Sequence, residues 1–223
     1  SLILAMSMVL AMSMTVFAAD NNEHKITVTQ NAADKSEHTY EAYQIFAGDL
    51  AEVEGKKVLS NIEWGAGVNG ENLLAALKAE EKFNVDGTNI FADCTTAAGV
   101  AEALSGEAFT SSDVSTSTLT DTFARLAESN LSSTVAGTAA GIGNVEITVT
   151  GSGYYLIKDK NDSVAEGGSY SRFMLEVVGD ATATVKSDVP SGDKEVYIDS
   201  ETTGDANNAS IGSHVSYKIT SKV

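Results

Sequence analysis

A single cysteine, Cys94, stands in the 223 residues, so the chain cannot close an internal disulfide. Proline is equally scarce: Pro190 is the only one, and it lies in a polar stretch that reads as the joint between two domains. Positive charge is short, with 14 Lys and Arg against 31 Asp and Glu, and the net charge of -17 argues against nucleic acid and anionic lipid as partners. The 3 histidines, His24, His38 and His214, are dispersed without metal-ligand spacing, which argues against a metal site or histidine-based catalysis. Aromatic residues make up only 7%, among many Thr, Ser, Gly and Ala residues. That composition points to a β-rich, surface-exposed architecture with polar loops. Beyond residue 19 there is no apolar run long enough to span a membrane.

What is present begins with an uncharged stretch over residues 1–19 that ends in Val16-Phe17-Ala18, followed at once by the polar run Asp20-Asn21-Asn22-Glu23. This is the pattern of a secretory signal peptide cleaved after Ala18; an N-terminal membrane anchor is the alternative. The initiator Met and basic n-region are missing, so the chain is expected to be an incomplete gene product. The expected division is a signal peptide over 1–18, a first domain over 19–188 and the truncated start of a second over 189–223.

Period-2 alternation predicts a first strand over 25–30. Residues 38–46 carry apolar side chains on both faces, Tyr40, Ala42 and Phe46 against Tyr43 and Ile45, and so predict a central strand. Gly48-Asp49 reads as a turn, with a short strand pairing back from Lys57. A helical block follows. Asn69 is placed to cap a helix over 71–82, Thr96 one over 97–104, and Thr118 with Asp121 one bearing Leu119, Phe123 and Leu126. Residues 135–143 read as a loop. Strands return at 145–150 and 154–158, read as a hairpin about Gly151-Ser152-Gly153, then at 171–178 and 181–186. The fold class is therefore mainly β: an antiparallel sandwich with helices confined to about 70–131.

Past the Pro190 joint, alternation puts Lys194, Val196 and Ile198 on one strand face. A lysine aligned with two aliphatic residues either snorkels at the sheet edge or is buried for a chemical purpose. Elsewhere the chemistry-bearing residues read blandly. Cys94 lacks a His or Asn signature and reads as a packed small side chain. Asp159-Lys160-Asn161-Asp162 lacks the Gly and bidentate Glu of a calcium loop and reads as a turn. Asn130-Leu131-Ser132 and Asn208-Ala209-Ser210 match the glycosylation triplet, too short a pattern to carry weight. Glu41 shares a face with Tyr43 and Ile45, which leaves it either partly buried with a raised pKa or at a solvated edge.

The order of Thr39-Tyr-Glu-Ala-Tyr-Gln-Ile-Phe-Ala-Gly48, Leu59-Ser-Asn-Ile-Glu-Trp-Gly65, Gly153-Tyr-Tyr-Leu-Ile157 and the Asp188-Val-Pro…Asp-Lys-Glu-Val196 joint resembles the N-terminal part of fimbrial backbone subunits of sortase-assembled Gram-positive pili. These belong to the isopeptide-forming Ig-like family. The resemblance spans essentially the whole chain after the signal. It implies Ig-like domains and subunits joined head to tail by an amide that sortase makes on a pilin lysine. It also implies internal Lys–Asn or Lys–Asp amides, a cell-wall location and adhesion to a host ligand. On this reading Lys186 is the expected intersubunit acceptor, although the Tyr-Pro that usually precedes it is replaced by Thr184-Val185; an ordinary linker lysine is the alternative. Lys158 and Lys160 stand in reserve. Lys194 is the expected source of an intramolecular amide, its partner strand lying beyond Val223. The first domain is expected to carry no such bridge, because Lys25 faces no Asn on the closing strand. No cofactor and no catalysis are expected, and the partners are other pilin subunits and sortase. The rivals are a non-polymerising wall-anchored adhesin and a secreted hydrolase with its catalytic domain beyond residue 223.

Overall fold

The computed structural model describes residues 15–16, 22–32, 34–53, 55–110, 114–161, 163–164, 170–185, 191–197, 203–204 and 217–222. The fold is mainly β with antiparallel sheets and a helical insertion. Strand β1 (Thr15–Val16) pairs with the far end of the long β3 (His38–Val53), and β2 (Glu23–Thr29) precedes it. β3 runs on into β4 (Lys56–Trp64). The insertion comprises α1 (Gly70–Ala79), a 3-10 turn at Glu81–Phe83, the two-residue strands β5 (Asn84–Val85) and β6 (Thr88–Asn89), α2 (Ala97–Leu104), α3 (Glu107–Thr110) and α4 (Val114–Ser129). Strands β7 (Gly137–Gly141), β8 (Asn144–Thr150), β9 (Gly153–Asp159), β10 (Arg172–Val177) and β11 (Ala181–Thr184) complete this part.

The strands make a six-stranded sheet in the order β1-β3-β9-β10, with β4 and β7 also paired to β3, and a three-stranded sheet in the order β11-β2-β8. Between them Ile26, Val28, Ile147 and Val149 meet Tyr40, Ala42, Tyr155 and Ile157 in one apolar cluster. The other face of the large sheet presents Tyr43, Ile45, Leu156 and Met174 to Leu73 and Leu77 of α1, Val100 and Leu104 of α2, and Phe123 of α4. Tyr40 and Ala42 on one side and Tyr43 and Ile45 on the other make β3 the central strand that its two-faced pattern predicts. Phe46 departs from the alternation and joins the helical side, stacked on Trp64 at 5.1 Å.

The helix caps follow their side chains. Asn69 accepts from the Asn72 amide at 3.2 Å, and Thr96 Oγ1 from the Gly99 amide at 3.1 Å, which satisfies a first-turn N–H at each start. α4 begins earlier than Thr118, at Val114. The Trp64-Gly65 motif also finds its reason. A Cβ on Gly65 would lie 2.2 Å from the Gln44 carbonyl oxygen, and one on Gly70 would lie 2.3 Å from the Trp64 ring, so only glycine lets β4 and α1 close this tightly.

Three local expectations are corrected. Gly48-Asp49 is no turn: β3 continues through it, and the register shifts between Ala47 and Asp49. The extra residue falls on β4, where Asn61 takes φ 50 and donates to the Asp49 carboxylate at 2.8 Å. Residues 137–141 are no loop but β7, paired with β3 from His38 to Ala42. Finally, β8 and β9 form no hairpin. β8 pairs with β2 and β9 with β3 and β10, so residues 151–152 carry the chain from one sheet to the other. The Tyr155 hydroxyl fixes that crossing by donating to the carbonyls of Thr150 at 3.1 Å and Gly151 at 2.8 Å.

Among the described residues, one strand pair is parallel. β11 lies beside β2 with Ala181 opposite Ile26 and Thr184 opposite Thr29. Further along the chain, β12 (Ser191–Tyr197), β13 (Thr203–Gly204) and β14 (Tyr217–Lys222) form their own three-stranded antiparallel sheet.

Candidate functional site

Ala18 and Lys186, expected at the signal cleavage and the intersubunit link, lie outside the described residues. Lys194 falls on β12 with its backbone opposite Ile219 of β14. Of the reserve lysines, Lys160 is exposed, whereas Lys158 is buried at 4% and so is poorly placed to meet an external acyl donor. Lys25 is mostly exposed beside Glu146, 3.3 Å away.

Buried charge instead gathers where β9 ends. Every residue of Gly153–Asp159 is buried, and its last two are Lys158 and Asp159. Alternation sends these neighbours to opposite faces, and each enters its own polar cluster.

Lys158 donates from Nζ to Asn161 Oδ1 at 3.0 Å, with the Tyr170 hydroxyl and the Asp159 carbonyl each at 3.4 Å. Two carboxylates flank it at 3.9 Å, Glu41 of β3 and Glu128 of α4. Glu128 also accepts from the Tyr170 hydroxyl and from Arg172 Nη1 at 2.7 Å, and the other arm of Arg172 reaches Asp121 at 2.9 Å. Burial alone would raise the Glu128 carboxyl, but Tyr170 and Arg172 outweigh it and hold it below the ordinary glutamate value. Glu41 is partly buried and accepts from the Tyr43 hydroxyl at 3.0 Å; burial and then that carboxylate push Tyr43 up to about 12. The cluster fastens α4 to the large sheet by charge-assisted hydrogen bonds. Asn161 lies only three positions from Lys158. An amide between them would close a short local loop and tie no distant strands.

On the opposite face His38, 1% exposed, bridges two carboxylates: Nδ1 to Asp159 Oδ1 at 2.8 Å and Nε2 to Asp34 Oδ2 at 3.0 Å. Each carboxylate also accepts a backbone N–H, Asp34 from Ser36 at 2.9 Å and Asp159 from Ser171 at 2.7 Å. Sequence reasoning missed both clusters. The available signal was a Lys-Asp pair closing an otherwise apolar strand.

Cys94 is partly buried against the helical core, and burial pushes its thiol above the ordinary value, as befits a packed side chain. Among the described residues, no group of three or more His, Cys, Asp or Glu could hold a metal ion, and no helix is long and apolar enough to cross a membrane. No protein-family model and no curated protein matches the chain.

Proposed function

We propose that the chain is part of a structural subunit of a sortase-polymerised surface pilus of a Gram-positive bacterium, secreted by way of a signal peptide ending at Ala18 and serving adhesion. It is a substrate of sortase and not a turnover catalyst. The observation that carries the reading is the parallel pairing of β2 with β11. The chain enters at the Glu23 end of β2 and leaves at the Thr184 end of β11, which lies beside Thr29 at the far end of β2. Tension applied through the two ends slides these strands along each other and loads their hydrogen bonds together. That is the arrangement a link in a tensioned fibre needs. The Tyr155 hydroxyl bonded back to the Thr150 and Gly151 carbonyls resembles the tyrosine corner of Ig-like sandwiches and supports the reading of an Ig-like first domain over 19–188.

Lys186, one residue past Val185, is proposed as the intersubunit acceptor: its neutral amine attacks the thioester that sortase forms on another subunit. Co-expression of the full-length protein with its sortase is expected to give a ladder of covalent multimers that Lys186→Ala abolishes. A ladder unchanged by Lys186→Ala moves the link elsewhere, with Lys160 next. Lys194, on the opening strand of the second Ig-like domain proposed for 189–223, is assigned an amide to an Asn or Asp on a later strand. The intact mass of the full-length mature protein should then be short by one ammonia or one water, a deficit that Lys194→Ala removes. A mass without that deficit ends the assignment.

A further inference from the structure

We propose that Asp34, His38 and Asp159 form a buried imidazolium latch that joins the β2–β3 connection and the start of β3 to the end of β9, and opens when the ring loses its proton. The argument starts from donor and acceptor counts. A neutral imidazole has one N–H donor and one bare nitrogen. Here both ring nitrogens meet carboxylate oxygens, at 2.8 and 3.0 Å. A carboxylate only accepts when ionised, so two ionised partners require both nitrogens to carry hydrogen. Each carboxylate already accepts a backbone N–H on its other oxygen, from Ser36 and from Ser171. Those bonds occupy the second oxygen of each carboxylate and leave the first to face the ring. Asp34, His38 and Asp159 are all buried, at 6%, 1% and 0%, so water offers no ready substitute.

Among the described residues, Tyr40 on β3 is a further titratable group against the ring, stacked at 5.6 Å; burial, chiefly, and the Asp159 charge raise it to about 12, so it stays neutral throughout. On β7, the residue paired with His38 is Gly141, which carries no charge. Burial would lower the His38 pKa, but the hydrogen bond and charge of Asp159, then those of Asp34, overcome it and raise it above the ordinary value of about 6.5. Asp34 is held low: burial would raise it, and the Ser36 N–H and His38 outweigh that. The signs bound the working window. The histidine contribution is complete below about pH 6.5 and is lost as pH rises through the raised folded value. The Asp34 contribution is present above about pH 3.9 and is lost as pH falls through the depressed one. The latch is therefore closed below about pH 6.5 and is released as pH rises through the raised value of the folded chain. Release leaves two buried carboxylates facing a ring that can donate to only one of them.

Nitrogen-15 NMR of the full chain tests this without any substitution. At pH 6, His38 should show both ring nitrogens protonated, and its deprotonation at higher pH should move the Ser36 and Ser171 amide signals along the same titration curve. A neutral His38 tautomer at pH 6, or serine amides that ignore its titration, overturns the latch. As a second measure, urea stability should fall from pH 6 to pH 9 in the native chain and lose that slope in His38→Gln. A slope that persists in His38→Gln also overturns it.

Discussion

Tyr155 shows how much one hydroxyl can decide. Its ring is fully buried between the sheets, and its oxygen reaches two backbone carbonyls at the point where the chain crosses from one sheet to the other. Tyr155→Phe keeps the packing and leaves those carbonyls short of a donor. The expected cost is about 1–3 kcal/mol, read as a lower urea midpoint at unchanged slope; an unchanged midpoint would show that the crossing holds without the hydroxyl. Residue-scale roles were unevenly legible. Asn69 and Thr96 announce themselves as caps because capping is a local act between neighbours. Lys158 and His38 do not, because each also needs a partner far along the chain: Glu128 and Asp159 become their neighbours only after the sheets assemble. The partial burial of Glu41 was one of two readings its strand position allowed.

At the scale of elements, periodicity located strands well and their partners poorly. Alternation states which side chains share a face, and β2, β8 and β10 follow it. It is silent on which edge meets which. A glycine-rich step such as Gly151-Ser152-Gly153 suits a hairpin and a sheet-to-sheet crossing equally, and only the core between Ile147 and Tyr155 selects the second. β7, with its run of glycine and alanine, has almost no β propensity of its own; pairing to β3 makes it a strand. The parallel β2–β11 contact was equally hidden, and its consequence is mechanical. With handles at residues 23 and 185, single-molecule pulling loads the pair in shear. With handles at 23 and 180, it opens the pair one bond at a time from a shared end. The first geometry is expected to need clearly higher force, since forced rupture follows the unfolding barrier along the pulled direction. Equal forces would remove the load-bearing role from this pair.

For the whole molecule, the gross plan was readable: a mainly β chain with its helices gathered in one block. The helical block matches expectation because it interrupts the β pattern once, between β4 and β7, and covers the face of the large sheet that the small sheet leaves free. Closure of the domain has a further consequence, in time. The Lys25 amide is held by the Asp180 carboxylate across 155 positions of sequence, and β2 finds its other neighbour only at Asn144–Thr150. A chain that emerges N-terminus first therefore exposes its opening strand long before either partner exists. Such distant pairing makes for slow folding. In the nascent chain β2 therefore has no strand partner until residues 144–150 have been made, and its sheet is complete only with residues 181–184.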